Sequence, residues 1–292
     1  HRDLHSFPTR RSSDLRSGSA KQSDGRLCVF NKVESIMLNL LFLGDVVGEG
    51  GCEFVRSRMS GIKRENDIDI VVINGENSAT GNGITPYSAK QLFSLGADVI
   101  TTGNHCFRRK EVMQLYDEKD CLLRPANFPE GNVGKGVCVL DLGRTEIAVI
   151  NLMGTLYLEA LDNPFTVVDE LLKDIKTPNI FIDFHAEATA EKKALGQYLD
   201  GRVTAVFGTH THVQTADETV LPHGTAYITD AGMCGAELSV LGVKSELAIK
   251  KQRFHAPVRF EESEEKQFIN GVVVSFDEKF GKAHSIKRLI IR

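Results

Sequence analysis

The chain has 292 residues, 41% of them hydrophobic, with a formal net charge of −4. That is enough for one large α/β domain or two small ones; the charge and the lack of a basic stripe argue against stable duplex nucleic-acid binding. No apolar run reaches the ~18 residues of a membrane span, and the six cysteines form no C-x-x-C pair, so they read as reduced thiols of a cytoplasmic protein.

In chain order, residues 1–36 come first and look foreign. They are polar, aperiodic and Arg/Ser-rich, with seven Lys/Arg against four Asp/Glu, and they lack the apolar core of a secretory signal. Asp3, Asp14 and Asp24 argue against a transit peptide. Residues 6–15, SFPTRRSSDL, resemble the translation of a sequencing adapter. The expectation is a disordered or artefactual extension over 1–36 and a single folded domain over 37–292.

From Met37 the pattern alternates. Strand 38–44 precedes a helix near 50–62, and strand 68–74 leads through a Gly-rich loop to a helix near 86–95. Thr85-Pro86 supplies an N-cap and a proline at the first helical position. Strand 98–102 and a charged helix near 108–118 follow. Strands 136–141 and 145–151 are joined at Leu142-Gly143-Arg144 as a hairpin. Then come helix 163–175, strand 179–184, helix 188–200 and strand 203–207. The remainder reads as strands 225–229, 256–260, 268–276 and 284–291, with a helix near 245–252. A βαβ-like first part and an antiparallel last part predict an α/β fold of two packed sheets with helices outside.

Five of the early strands end on residues that bind metals. They deliver Asp45; Glu76 and Asn77; Asn104 and His105; His185; and His210 with His212. Ligands of open α/β sheets bind beyond the carboxyl ends of strands. Carboxylate, amide and imidazole groups without thiolate suit a metal centre for oxygen chemistry. Taken singly, Asp45 also suits a helix N-cap, Asn77 and Asn104 suit turns after glycine, and His185 suits a satisfied core histidine. Glu76 is harder to place structurally, because a carboxylate closing the run Ile70-Val71-Val72-Ile73 needs partners when buried. His210 and His212, two apart, would point to one side if the backbone is extended. Seven candidate ligands are too many for one open catalytic ion and suit two ions sharing a bridging carboxylate, for which Glu76 is the natural choice.

The segments GDVVG (44–48), NGENSA (74–79), TTGNH (101–105), FHAEATAEK (184–192), GTHTHVQTAD (208–217) and YITDAGMCG (227–235) together resemble the calcineurin-like metallophosphoesterases, and within them the YmdB-type subfamily. The resemblance runs from Met37 to the C-terminus. Three positions depart from the wider superfamily. Asp45-Val46-Val47 replaces Asp-x-His, Glu76-Asn77 replaces a bridging Asp, and Cys106 follows Asn104-His105 where an acidic residue is usual.

The resemblance implies a metallophosphoesterase-type β-sandwich of two mixed sheets flanked by helices. It implies two divalent or mixed-valence ions per chain, iron or manganese, with zinc also admitted. Asp45, Glu76, Asn77 and His212 would hold one ion; Glu76, Asn104, His185 and His210 the other. His105 would face the substrate as the catalytic residue. The implied activity is hydrolysis of 2′,3′-cyclic nucleotides to 3′-nucleotides by a metal-bridging hydroxide. Alternatives are a phosphatase or 3′,5′-cyclic-nucleotide phosphodiesterase on the same site, or a regulatory nucleotide-binding protein with slow turnover. A small cyclic nucleotide is the expected partner, no membrane is involved, and homo-oligomerisation is open.

Four further features carry less. Arg124-Pro125-Ala126-Asn127 reads as a substrate contact or a turn. Asp230-Ala231-Gly232-Met233 reads as pocket lining or a tight turn. Glu187 and Glu191, four apart on one predicted helix, read as solvated, and His223 and His255 take no role.

Overall fold

The computed structural model describes residues 36–292; the expectation for the N-terminal extension lies outside the described residues, apart from Ile36. The chain runs β1 (Met37–Leu43), β2 (Asp45–Val46), α1 (Gly48–Glu65), β3 (Ile70–Asn74), α2 (Pro86–Ser94), β4 (Val99–Thr101), α3 (Met113–Glu118), β5 (Val137–Asp141) and β6 (Glu146–Met153). It continues α4 (Pro164–Asp174), β7 (Ile180–His185), α5 (Thr189–Tyr198), β8 (Ala205–Thr209), β9 (Thr219–Val220), β10 (Ala226–Ile228), β11 (Met233–Ala236), α6 (Ser245–Phe254), β12 (Gln267–Asp277) and β13 (Lys282–Ile291).

Both sheets are mixed. In the first, β1 pairs parallel with β3 and β3 with β4, while β12 runs antiparallel to β1, β11 and β13. In the second, β6, β7, β8 and β10 are parallel, with β5 and β9 antiparallel at the edges.

Side-chain alternation explains why the central strands read as unbroken apolar runs. Leu38, Leu40 and Phe42 point one way and pack with Phe181 and Phe207 of the second sheet; the Phe42 and Phe207 rings stack at 4.4 Å. Leu41, Leu43, Val71 and Ile73 point the other way, onto Val55, Met59 and Leu92 of α1 and α2. Ile182, Phe184 and Val206 of the second sheet pack against Val168 of α4 and Leu195 of α5. Strands covered on both faces lose their polar alternation. The result is four layers, helix–sheet–sheet–helix.

Local signals were also met. Thr85 Oγ1 accepts from the Ser88 amide at 3.2 Å while Ser88 Oγ accepts from the Thr85 amide, a reciprocal cap on α2. The β5–β6 hairpin closes through Leu142 N–H to Thr145 O at 2.9 Å. Two expectations fail, and three short strands were not foreseen. Residues 256–260 form no strand: Pro257 has no N–H to give to a ladder, and pairing resumes only at the isolated Val243–Glu262 bridge. The helix near 108–118 opens as a 3-10 turn, Lys110–Val112, before α3. The short strands β2, β9 and β11 escape a reading by apolar runs, because two to four residues show no period.

Candidate metal centre

The parallel registers bring the strand ends to one level. Leu43 lies beside Ile73, Asn74 beside Thr101, and His185 beside Thr209. The first sheet thereby supplies Asp45, Glu76, Asn77, Asn104 and His105. The second supplies His185, His210 and His212. Close approach depends on glycine. A Cβ on Gly103 would sit 2.1 Å from His185 Cδ2, and one on Gly208 would sit 1.8 Å from Thr229 O.

Glu76 is fully buried at the centre. Its Oε1 lies 3.1 Å from His105 Nδ1 and 3.2 Å from both His185 Nε2 and Asn77 Nδ2, and its Oε2 accepts the His105 amide at 3.1 Å. To one side, His185 Nε2 is 3.0 Å from Asn104 Oδ1 and 3.1 Å from His210 Nδ1. To the other, His212 Nε2 is 3.3 Å from Asn77 Nδ2 and 3.6 Å from Asp45 Oδ1. Donor atoms of Glu76, His185 and His210 all lie within 4.8 Å of one another, close enough to share an ion.

All the sequence-predicted residues therefore meet, but the two-apart argument for His210 and His212 is wrong in detail. Their backbones are left-handed, with φ 97° and 64°, so the segment is not extended. The two imidazoles diverge, one towards His185 and the other towards Asp45. Both φ values lie where non-glycine residues are strained.

Electrostatics reflect crowding. Burial opposes charge on His185, but the Glu76, Asp45 and Asp183 carboxylates outweigh it and lift the imidazole to about 9. Burial and the neighbouring His185 cation push His210 down to about 4. Burial also opposes ionisation of Glu76, yet His185 and His105 hold its carboxyl well below the usual range. The donors fit a cation. They combine two carboxylates, two amides and three imidazoles, and Asp45 Oδ1 is buried without a hydrogen bond, His212 Nε2 lying too far at 3.6 Å to make one. A buried carboxylate oxygen left bare is costly unless a cation meets it.

Beneath this layer lie residues the sequence reading missed. Asp183, two before His185 on β7, accepts from Asn74 Nδ2 at 2.9 Å, Thr101 Oγ1 at 2.5 Å and Thr209 Oγ1 at 2.7 Å. Thr209 Oγ1 also meets His185 Nδ1 at 3.0 Å, which orients the ring with Nε2 inward. Burial raises Asp183 to about 6. The i, i+2 spacing from His185 was the available signal.

Asp230 is neither pocket lining nor only a turn. Fully buried, it takes Lys192 Nζ at 2.7 Å, the Thr211 amide at 3.1 Å, Thr211 Oγ1 at 2.7 Å and the Gly232 amide at 2.8 Å. It clamps the residue between the two histidines.

Other expectations are corrected. Glu187 precedes α5 and lies 3.2 Å from His210 Nε2. Glu191 is buried rather than solvated, accepting the Thr155 amide at 2.9 Å. Arg124 is buried and serves the Val133 and Pro125 carbonyls, while Asn127 bonds the Met153 backbone. Neither lines the cleft of about 1230 Å³ that opens over Glu76, Asn77, His105, His210 and His212. His223 is exposed and bonds Asp200 at 2.8 Å, and His255 caps α6 in a left-handed conformation. No helix among the described residues is long and apolar enough to cross a membrane.

Comparison with known proteins agrees with this arrangement. Residues 41–289 match the profile of YmdB-like proteins. A Bacillus subtilis (strain 168) protein named 2′,3′-cyclic-nucleotide 2′-phosphodiesterase is 48% identical over 256 residues, covering 87% of this chain and 97% of that one. The crystal structure of a hypothetical protein from Thermus thermophilus superposes with a TM-score of 0.82 at 37% identity, over 87% of this chain and 98% of that one. That of a novel phosphatase from Mycoplasma pneumoniae gives 0.84 at 34%, over 88% and 94%. On these likenesses, with a two-sheet metallophosphoesterase-like fold, the chain belongs to the YmdB-like family.

Proposed function

We propose that this enzyme is a dinuclear metal-dependent phosphodiesterase that opens 2′,3′-cyclic nucleotides at the 2′ side. The observation that carries the reading is the buried Glu76 carboxylate with two ligand sets around it, Asp45, Asn77 and His212 on one flank and Asn104, His185 and His210 on the other. The 48% identical Bacillus subtilis relative carries that activity in its name. Glu76 would be shared between two ions, iron or manganese, with zinc admitted by the same donors. When bound, such ions neutralise phosphoryl oxygens and acidify the attacking water.

The chain's own residues supply the rest. His105 lines the cleft with Nδ1 held by Glu76 and by Asn77 Oδ1 at 3.0 Å. That leaves Nε2 to give a proton to O2′ as the P–O2′ bond breaks. Water oxygen joins phosphorus in line with O2′, and the product is a 3′-phosphomonoester. Thr209 and Asp183 hold His185, and Asp230 holds the His210–Thr211–His212 loop. The reducing cytoplasm suits the free thiols of the described cysteines.

Incubation of the manganese-loaded chain with adenosine 2′,3′-cyclic phosphate tests this. The expected product is 3′-AMP, with turnover lost after chelation and restored by manganese. Formation of 2′-AMP, turnover indifferent to chelation, or hydrolysis confined to phosphomonoesters would overturn it; the last outcome would favour the phosphatase reading, in line with the Mycoplasma pneumoniae phosphatase.

A further inference from the structure

We infer that the substrate this cleft is built for is the 3′ end of a single RNA strand bearing a 2′,3′-cyclic phosphate, longer than a mononucleotide. The inference rests on the phosphodiesterase reading above. Its first support is size. Sites for small ligands span ~300–1,000 Å³, and this open cleft offers about 1230 Å³.

The second support is what stands beyond the buried floor. One wall is the 80–82 loop, held by Arg109 Nε on Asn82 O at 2.9 Å. A second stretch of wall is 259–264, tied to 242–244 by Ser263 N–H to Gly242 O at 2.8 Å, Lys244 N–H to Glu261 O at 2.9 Å and Lys244 Nζ to Glu261 at 2.7 Å. Glu262 Oε1 joins the two walls by accepting the Gly81 amide at 2.6 Å. The walls are therefore anchored, and the groups they present are placed.

Those groups are two guanidiniums and an aromatic ring. Arg108 and Arg259 are exposed on the cleft, and neither guanidinium makes a hydrogen bond or ion pair among the described residues. Phe260 leaves half its surface bare there. Arg259 is near enough to Glu261 to help hold that carboxyl low, but Glu261 is already committed to Lys244. A mononucleotide has one phosphate, and the floor takes it. A second phosphate and a second base are what free guanidiniums and a bare ring would meet. Cations tracking a backbone and aromatics stacking bases are the elements of single-strand recognition. Glu49, Glu187, Glu261, Glu262 and Glu264 also face the cleft, with Glu261 committed to Lys244 and Glu262 to the Gly81 amide.

The chemistry of such ends places the reaction. A ribose 2′-OH attacks the adjacent phosphodiester, the P–O5′ bond breaks, and the proton leaves on O5′. This enzyme would then add water to phosphorus and break P–O2′, leaving a 3′-phosphate and a free 2′-OH. It would follow RNA cleavage by transesterification.

The test uses the manganese-loaded full chain with adenosine 2′,3′-cyclic phosphate and a triadenylate ending in the same cyclic phosphate. The expected result is a kcat/KM at least about tenfold higher for the triadenylate, carried by KM and weakened by salt. Phe260→Ala and the double variant Arg108→Ala/Arg259→Ala should each shrink that advantage without changing mononucleotide turnover. Equal kcat/KM for both substrates, or an advantage that survives all these substitutions, would overturn the inference while leaving the phosphodiesterase reading intact. Hydrolysis of neither substrate would remove that reading and this inference with it.

Discussion

The floor and the outer wall of the cleft are built by opposite means. The floor is made of strand ends, with Asp45, Glu76 and His185 wholly buried. The wall at 255–264 has no strand of its own and bares Phe260. A floor held by two sheets would fix where atoms react, and a wall tied by backbone and side-chain hydrogen bonds rather than by a sheet would decide what is admitted. Rigid scaffolds carrying adaptable loops are a common division of labour.

The sharpest way to break the comparison is Glu76→Gln. The change keeps the shape and removes the charge at the centre of the floor. Metal content should fall and turnover should drop below detection, while the circular dichroism spectrum is unchanged. Two ions per chain with near-normal turnover would refute the bridging role.

His105→Ala comes next. It touches the floor's open face and should leave the proposed ion sites in place, so kcat should fall roughly 10²–10⁴-fold with metal content retained by elemental analysis. Loss of an ion would make His105 a ligand.

Asp230→Asn loosens the floor from behind. Metal affinity should weaken roughly 10–100-fold. Urea unfolding should show a loss of about 3–5 kcal/mol, because Lys192 is left buried without its partner charge. Unchanged metal affinity would mean that the loop keeps its place without the clamp.

The smallest effect belongs to Asp217, at the far end of the same loop. Burial opposes its ionisation, but Lys193 Nζ at 2.8 Å and the Thr229 and Thr215 hydroxyls outweigh this and hold the carboxyl well below its usual range. A depressed carboxyl stabilises the fold above the unfolded value of ~3.9 and loses that contribution as pH falls below it. Asp217→Asn should cost no more than about 1 kcal/mol at pH 7, since the Lys193 end of the pair is exposed and Asp217 is only half-buried. The gap between variant and wild type should narrow towards pH 2–3 in urea titrations. A gap that widens in acid would show the sign to be wrong.

The floor was legible because its physics is local. A continuous apolar run signals a strand covered on both faces, and a carboxylate at its end demands a partner; Ile70–Asn74 followed by Glu76 carries both statements within seven residues. The left-handed backbones of His210 and His212 were not legible, because they are set by Asp230 and Lys192, held in place by other elements. Asp183 was hidden for the same reason, since its partners come from three other strands. The 256–260 segment has strand-like composition, yet Pro257, with no N–H to give a ladder, decides against it. Glu191 looked solvated until Gly154 brought a backbone to it: a Cβ there would lie 2.4 Å from Glu191 Oε2.

The seam between the two sheets gives the floor a role beyond catalysis. Its acidic and amide donors all come from the first sheet, and its three candidate imidazole ligands all come from the second. A cation held between them would act as a rivet across the sandwich. Mass action then makes resistance to unfolding rise with free metal concentration, by RT ln(1 + [M]/Kd) for each ion bound only when folded. A cell short of the metal would hold a chain that is both idle and easier to pull apart at that seam, so metal supply would set its lifetime as well as its rate.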